Sequence, residues 1–333
     1  MNTILLLTVI YLSFILDIVS FRLISSNNYR NHDQYQLKMG QSTSSSSTST
    51  STTIQKDIED TAIKAALLAG DCIRKGRGSI NLNTTDIESK IGSRDIVTKV
   101  DKESQDIIKS TILAKFPNHK FLGEEDIEPG IEASKEAIKR FEKEEHLWIV
   151  DPIDGTTNFA HGLPICGVII AYASRGQVIH GCIHDPFFNE TFTATKGNGA
   201  FLNGQQIKCC NTDELKSSVV CTGSPPNFKS LEACLRAQNI LSSQVRTMRM
   251  LGSAATMLSW IAARGRVTAY FEADLNVWDL AAGVLIIQEA GGRVTDVWGN
   301  DYTLGTRNLV ASNGKIHDKL LAVLQQAEMW IKD

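Results

Sequence analysis

Apolar residues recur at helical spacing from residue 54 onward. Ile54, Ile58, Ala62, Ala65, Ala66 and Ile73 share one face of a 3.6-residue period, and Gly76 and Gly78 stop the pattern, which predicts an amphipathic first helix. Asp95-Ile96-Val97-Thr98 has strand composition, and Ile107, Ile108, Ile112 and Phe116 mark a second helix closed by Pro117. Phe121-Leu122-Gly123-Glu124-Glu125 reads as a short strand ending in acids. Residues 128–145 read as a charged helix or insertion whose charges form a solvated face. Leu147-Trp148-Ile149-Val150 is a short, wholly apolar strand. Residues 168–173, 178–183 and 191–195 are β-rich, with Lys196-Gly197-Asn198-Gly199 and Asn203-Gly204 as hairpin turns. Beyond Cys221, helices and strands alternate over 231–241, 253–263, 268–272, 279–290 and 293–297. A final helix, 316–331, buries Leu320, Leu324, Ala327 and Ile331. The pattern predicts a mixed α/β fold: an antiparallel-rich half (54–210) followed by an α/β half (211–333), with no internal repeat.

The chain before residue 54 has a different character. Residues 4–15 form an apolar run broken only by Thr8, Tyr11 and Ser13, the length of a signal-peptide core and short for a membrane span. Ser20 is a small residue before a cleavage point at Phe21, although no Lys or Arg precedes the run, so residues 1–20 read as a signal-peptide-like segment. Residues 21–53 turn to Ser, Thr and Asn, with Arg22, Arg30 and Lys38 against one acid, Asp33. Such a stretch buries too little apolar surface to fold, and it reads as a transit segment or a flexible linker. Together the two segments resemble the two-part leader of plastid-bound proteins; a plastid or other organelle is favoured over secretion, with the cytoplasm as the alternative. Asn83-Thr84-Thr85 and Asn189-Glu190-Thr191 are glycosylation triplets only if the chain is secreted.

Composition narrows the function. A chain of 333 residues with 42% hydrophobic content builds a sizeable core. Its 34 basic and 37 acidic residues leave a net charge of −3, which excludes the basic field of sequence-independent nucleic-acid binding and favours a small-molecule partner. No window reaches the roughly 18 to 20 apolar residues of a spanning helix. Seven cysteines are too dilute for a disulfide framework, and Cys209-Cys210 read as ordinary thiols. His180, Cys182 and His184 alternate along a strand face; a zinc site is weighed there against a packed strand, and the packed strand is favoured.

The chemistry concentrates at Asp151-Pro152-Ile153-Asp154-Gly155-Thr156. Two acids three residues apart at the end of an apolar strand raise each other's pKa and need a cation or a proton between them. A hard divalent cation such as Mg²⁺ takes oxygen ligands of this kind, and the Gly-Thr step offers backbone N–H groups to a phosphate oxygen. The alternative is an Asx-turn with Asp154 capping a helix. Glu124, Glu125, Asp101 and Asp279 stand at other element ends and strengthen the functional reading. A calcium loop is excluded because the D-x-D-x-D-G order and terminal Glu are missing, and Gly197-Asn198-Gly199 lacks a Walker lysine.

Gly123-Glu124-Glu125, the run from Trp148 through Asp151-Pro152-Ile153-Asp154-Gly155-Thr156-Thr157-Asn158-Phe159, and Trp278-Asp279-Leu280-Ala281-Ala282-Gly283 with Glu289-Ala290-Gly291-Gly292 closely resemble the inositol monophosphatase family, from about residue 54 to the C-terminus. The resemblance implies a five-layered αβαβα sandwich of the inositol monophosphatase and fructose-1,6-bisphosphatase type, and a homodimer. It implies Mg²⁺-dependent hydrolysis of a phosphate monoester without a phosphoenzyme, with two or three ions per site. Glu124, Asp151 and the Ile153 carbonyl would hold one ion, and Asp151, Asp154 and Asp279 a second. Asp101 and Thr156 would orient and deprotonate the attacking water. Gly155 and Thr156 would hold the substrate phosphate through their N–H groups, and Asp154, Ala254 and Glu272 are the other substrate-binding residues, Glu272 through sugar-ring hydroxyls. Ala273-Asp274-Leu275-Asn276-Val277 stand where many inositol enzymes have a glycine-containing loop. The expected substrate is myo-inositol monophosphate, with histidinol phosphate, a sugar 1-phosphate or fructose bisphosphate as alternatives. Lys90 either supports a third ion or is a solvated lysine, the latter being favoured. A catalytically silent member of the fold would be free to lose Asp101, Glu124, Asp151, Asp154, Thr156 or Asp279, and all are present.

Overall fold

A computed structural model of the chain describes residues 49–78, 87–90, 96–263 and 265–330. The leader-like segment 1–20, residues 21–48, the Asn83 triplet, Asp95 and Ile331 lie outside the described residues. Helix α1 (Ser49–Gly76) precedes an antiparallel ribbon of β1 (Ile87–Ser89) and β2 (Ile96–Thr98), then helix α2 (Lys99–Lys115) and strand β3 (Lys120–Gly123). Helix α3 (Ile131–Phe141) leads to β4 (Leu147–Asp154), the short helix α4 (Thr156–Ala160), and the meander β5 (Gly167–Ser174), β6 (Gln177–Asp185), β7 (Glu190–Thr195), β8 (Ala200–Leu202) and β9 (Gln205–Ile207). The remaining chain supplies β10 (Val219–Thr222), α5 (Phe228–Leu241), β11 (Thr247–Arg249), α6 (Ala254–Ala262), β12 (Ala269–Glu272), α7 (Val277–Glu289), β13 (Arg293–Asp296), β14 (Leu309–Ser312) and α8 (His317–Gln326).

Strands β3 to β9 pair in sequence order as a seven-stranded sheet, parallel only between β3 and β4. A second sheet of five strands has the order β11-β10-β12-β14-β13, with β10 parallel to both neighbours and β14 antiparallel to both of its own. The period of two along β4 sets the layering. Trp148 and Val150 face a core shared with Ala62 and Ile73 of α1 and Ile108 and Ile112 of α2. Leu147 and Ile149 face the opposite core, against Ala255 of α6 and Ala281 and Leu285 of α7. The other side of α6 and α7 meets the five-stranded sheet through Leu258, Leu280 and Ile287 against Tyr270, Val294 and Leu309. Ala233 of α5 and Leu320 of α8 close the far face over Phe271 and Val310. The molecule is therefore the expected five-layered αβαβα sandwich. Helix α7 runs between two sheets, which is why it is apolar nearly all round. It approaches β6 backbone to backbone: a Cβ on Gly181 would stand 2.8 Å from the Ala282 carbonyl oxygen, so this position requires glycine.

Several boundaries differ from expectation. Glu124–Asp126 turn into a 3₁₀ helix instead of prolonging β3. Helix α3 is shorter than 128–145, starts after Gly130, and buries Ser134, Ala137 and Ile138, so one face is core and not solvated. Helix α8 ends at Gln326, and Glu328 takes a left-handed conformation (φ 49°) that no helix continues through. The turn at Asn203-Gly204 has positive φ at both residues, as a two-residue hairpin requires. All seven cysteines are free thiols. His180 and His184 bond Thr195 and Thr191 through Nδ1, and Cys182 packs in the core beneath α1, which agrees with a packed strand. Among the described residues no helix is long and apolar enough to cross a membrane.

Candidate active site

Strand β4 delivers two of the acids. In a regular strand, residues three apart point to opposite faces, but the β4–β5 register shifts between Asp151 and Asp154. Asp151 Oδ1 accepts the Ile153 N–H at 2.9 Å, an Asx-type turn that bends the chain at this irregularity. Asp279, in the first turn of α7, joins them: one oxygen from each of Asp151, Asp154 and Asp279 lies within 4.8 Å of the others. Asp279 Oδ2 is oriented by the Asn276 N–H at 2.7 Å. Burial raises the pKa of Asp151 well above the usual carboxylate range, and the charges of Glu124, Asp154 and Asp279 add to it. Burial acts on Asp279 in the same direction, reinforced by Glu124 and Asp154.

Asp154 is held from the other side of the site. Its carboxylate accepts from the Ser253 hydroxyl, from the Ala254 N–H at 3.1 Å and from the Ala255 N–H at 2.8 Å. These are the free donors at the start of α6, where the helix dipole favours a negative charge. The Asx-turn weighed for Asp154 is made by Asp151 instead, and α4 has Gly155 at its N-cap with no side-chain bond. Asp154 meets the first N–H groups of α6, whose N-cap is Ser253, from its place in the acid cluster. Burial pushes this carboxyl up to about 6 despite those three donors. Ala254 is itself buried, and its N–H is taken by Asp154.

Asp101 and Thr156 meet beside the cluster. Thr98 caps α2, and Asp101 completes the capping box: its Oδ2 accepts the Thr98 N–H at 2.9 Å and the Thr98 hydroxyl at 2.6 Å. Oδ1 is left for the Thr156 hydroxyl at 3.0 Å. That hydroxyl also lies 2.9 Å from the Ile153 carbonyl, and its single proton serves one acceptor at a time. Burial pushes Asp101 up to about 6, opposed by the Thr98 bonds. Gly155 makes the turn between Ile153 and Thr156. Its φ is +89°, and a Cβ would meet the carbonyl oxygens of Ile165 at 2.9 Å and Gly252 at 3.1 Å.

Glu124 sits at the end of β3, and its charge is felt by Asp101, Asp151, Asp154 and Asp279. Lys90 corrects the favoured reading of a solvated lysine: its Nζ is 2.8 Å from both Glu124 Oε1 and Glu125 Oε1. Burial works against its charge, but the two carboxylates outweigh burial and raise its pKa. Glu272 ends β12, buried, and accepts a hydrogen bond from Tyr270. Sequence reasoning missed Ser253 and Tyr270. Ser253 carries a local signal, an N-cap serine before an apolar run, whereas Tyr270 is brought to Glu272 by strand geometry alone.

Burial pushes Glu272 up to about 7 from its ordinary 4.5, with Tyr270 lowering it and Asp154 raising it. Between those values the metal-free native state holds a proton that the unfolded chain has released, so ionisation destabilises the fold as pH rises through the window. Glu272→Gln is therefore expected to gain stability over the parent from about pH 5, levelling off above pH 7 to 8 at about 3 kcal/mol. Chemical denaturation at several pH values checks this, and a difference that stays flat from acid to neutral pH would contradict it.

The donor set fits a hard divalent cation. Asp151, Asp154 and Asp279 offer only oxygen, carry like charge, and are reached by none of the ion pairs described for this chain; this is the one such group found among the described residues. An acid cluster of this kind beside a carboxylate–hydroxyl pair suits the hydrolysis of phosphate monoesters. The profile of the inositol monophosphatase family matches residues 54–329. The chain is 39% identical over 242 residues to a fructose-1,6-bisphosphatase/inositol-1-monophosphatase of Thermotoga maritima, covering 72% of this chain and 86% of that one. It is 37% identical over 271 residues to inositol monophosphatase 3 of Solanum lycopersicum, covering 80% and 96%. A solved Thermotoga maritima IMPase superposes with a TM-score of 0.72 at 36% identity, covering 82% of this chain and 99% of that one. The chain belongs to the inositol monophosphatase family.

Proposed function

We propose that this phosphatase is Mg²⁺-dependent and acts on myo-inositol monophosphate, releasing myo-inositol and phosphate. The observation that carries the metal dependence is the meeting of Asp151, Asp154 and Asp279 within 4.8 Å. Glu124, Asp151 and the Ile153 carbonyl would hold one ion, and Asp151, Asp154 and Asp279 another. When bound, such ions lower the pKa of water and neutralise charge on the transferring phosphoryl group. The chain's own residues handle the proton. Asp101 uses one oxygen on Thr98 and the other on Thr156, so the Thr156 hydroxyl hands its proton to Asp101 and accepts one from the attacking water. A pKa near 6 suits Asp101 to a base working at neutral pH. The Gly155 and Thr156 N–H groups would receive a phosphate oxygen at the turn that Gly155 permits.

The inositol assignment is supported by Glu272, a buried carboxyl close enough to Asp154 for their charges to interact and suited to accept from ring hydroxyls, and by the name of the tomato relative. A fructose-bisphosphatase activity is the second reading, favoured by the name of the Thermotoga relative. Phosphate release by the full chain, with and without Mg²⁺, from inositol monophosphates, fructose 1,6-bisphosphate, histidinol phosphate and a sugar 1-phosphate separates them. Turnover of another ester in preference to the inositol phosphates would overturn the assignment. Glu272→Ala should raise KM for inositol phosphates by roughly 10-fold or more while leaving an aryl phosphate almost unaffected, because only the former offers hydroxyls to that carboxyl. Equal effects on both substrates would remove Glu272 from substrate recognition.

A further inference from the structure

We propose that Arg307 and Asp274 form a positioning pair that fixes the loop between Glu272 and Asp279, and so sets both the divalent-cation affinity of the acid cluster and the placement of Glu272; this rests on the metal-dependent reading above. The loop is short. It leaves β12 at Glu272, which Tyr270 latches, and enters α7, whose first turn carries Asp279. Asp274 lies between them in the left-handed region, φ +66°, without being glycine. Asp is among the few side-chain-bearing residues that tolerate this conformation.

The Asp274 carboxylate is fully engaged. Arg307 donates to its Oδ1 through Nε at 3.0 Å and Nη2 at 2.6 Å, and Ser230 of α5 donates to Oδ2 at 3.1 Å. The other arm of Arg307 reaches further: Nη1 donates to Asn276 Oδ1 at 3.0 Å and to Ser134 of α3 at 3.1 Å. Asn276 is the residue whose backbone N–H orients Asp279 at 2.7 Å. The backbone repeats the pattern, with the Leu275 N–H on the Arg307 carbonyl at 2.9 Å and the Asp274 N–H on Asn308 Oδ1 at 3.2 Å. One planar guanidinium thus ties the middle of the loop to the residue that aims Asp279. The Arg307 and Asp274 side chains are only 17% and 6% exposed. A buried ion pair adds little net stability over apolar packing, whereas its forked geometry fixes orientation. The pair acts on the acid cluster through Asn276 and on the pocket through the chain direction at Glu272; neither residue is assigned a contact with substrate.

The test measures cation binding directly, by titrating the full chain with Mn²⁺ and following the free ion by electron paramagnetic resonance, alongside melting of the metal-free protein. Arg307→Met should weaken Mn²⁺ binding by roughly 10- to 100-fold, the usual effect of losing a residue that orients a ligand. Arg307→Lys should not rescue it, since a single ammonium cannot serve Asp274 and Asn276 together. In the double variant Asp274→Gly/Arg307→Met, the glycine suits the positive φ and no unpaired carboxylate stays buried, so metal-free melting should return toward the parent while Mn²⁺ binding stays weak. Its kcat/KM should also fall further for inositol phosphate than for an aryl phosphate. Parental Mn²⁺ affinity in Arg307→Met or Arg307→Lys, or affinity that recovers together with melting in the double variant, would reduce the pair to a fold contact and overturn the proposal. A parent protein that binds no Mn²⁺ would instead remove the metal-dependent reading, and this proposal with it.

Discussion

Asp151→Asn is expected to lower turnover at saturating Mg²⁺ by roughly 10³-fold, about 4 kcal/mol of barrier. Asp151 is the acid that every other member of the cluster touches or repels: Glu124, Asp154 and Asp279 all act on its charge, and it is nearly inaccessible to solvent. An amide keeps the Ile153 N–H bond and the turn, but it removes the charge that a cation needs. The same substitution should raise the melting temperature of the metal-free protein, because one of several crowded carboxylates is gone, and should lower the gain on adding Mg²⁺. Opposite signs in the two melts separate a lost metal site from a damaged fold. Retention of more than about a tenth of parental kcat would sink the assignment.

Gly155→Val should injure fold and rate together. A β-branched side chain at φ +89° is strained, and its Cβ would press on the Ile165 and Gly252 carbonyl oxygens at 2.9 and 3.1 Å, which are backbone atoms and yield little. The expected destabilisation is about 3 kcal/mol. Because Gly155 stands between Asp154 and Thr156, relief of the clash displaces both, and misplacement on the scale of an ångström costs roughly 10²-fold in rate. Thermal melting and steady-state kinetics check the pair of effects. Parental values in both would show that the turn does not need glycine.

The motifs were legible where chemistry is local in sequence. Asp151, Asp154, Gly155 and Thr156 lie within one strand and its turn, so spacing alone exposes them, and the wholly apolar Leu147–Val150 run marks the strand that carries them. Three strands of the five-stranded sheet, β10, β11 and β14, were not predicted from the pattern. They are three or four residues long, and β11 is a polar edge, so neither a period of two nor an apolar run has room to develop. The attachments that orient the acids were hidden for another reason. Ser253 reaches Asp154 across 99 residues and Thr156 reaches Asp101 across 55, and no single sequence reports such meetings. Lys90 departs from its expected solvation because a lysine in a polar loop looks solvated until the fold brings two glutamates to it.

The placement of α6 and α7 between the sheets has a consequence for biosynthesis. The seven-stranded sheet is complete in sequence by Ile207, yet the inner face bearing Leu147, Ile149, Ile169 and Phe192 is covered by helices that end only at Glu289. A ribosome adding 5 to 20 residues per second needs roughly ten seconds to make the missing cover. During that interval the nascent sheet presents an uncapped apolar surface, so this chain is expected to depend on chaperones while it is being made and to acquire its native packing only when synthesis is nearly finished.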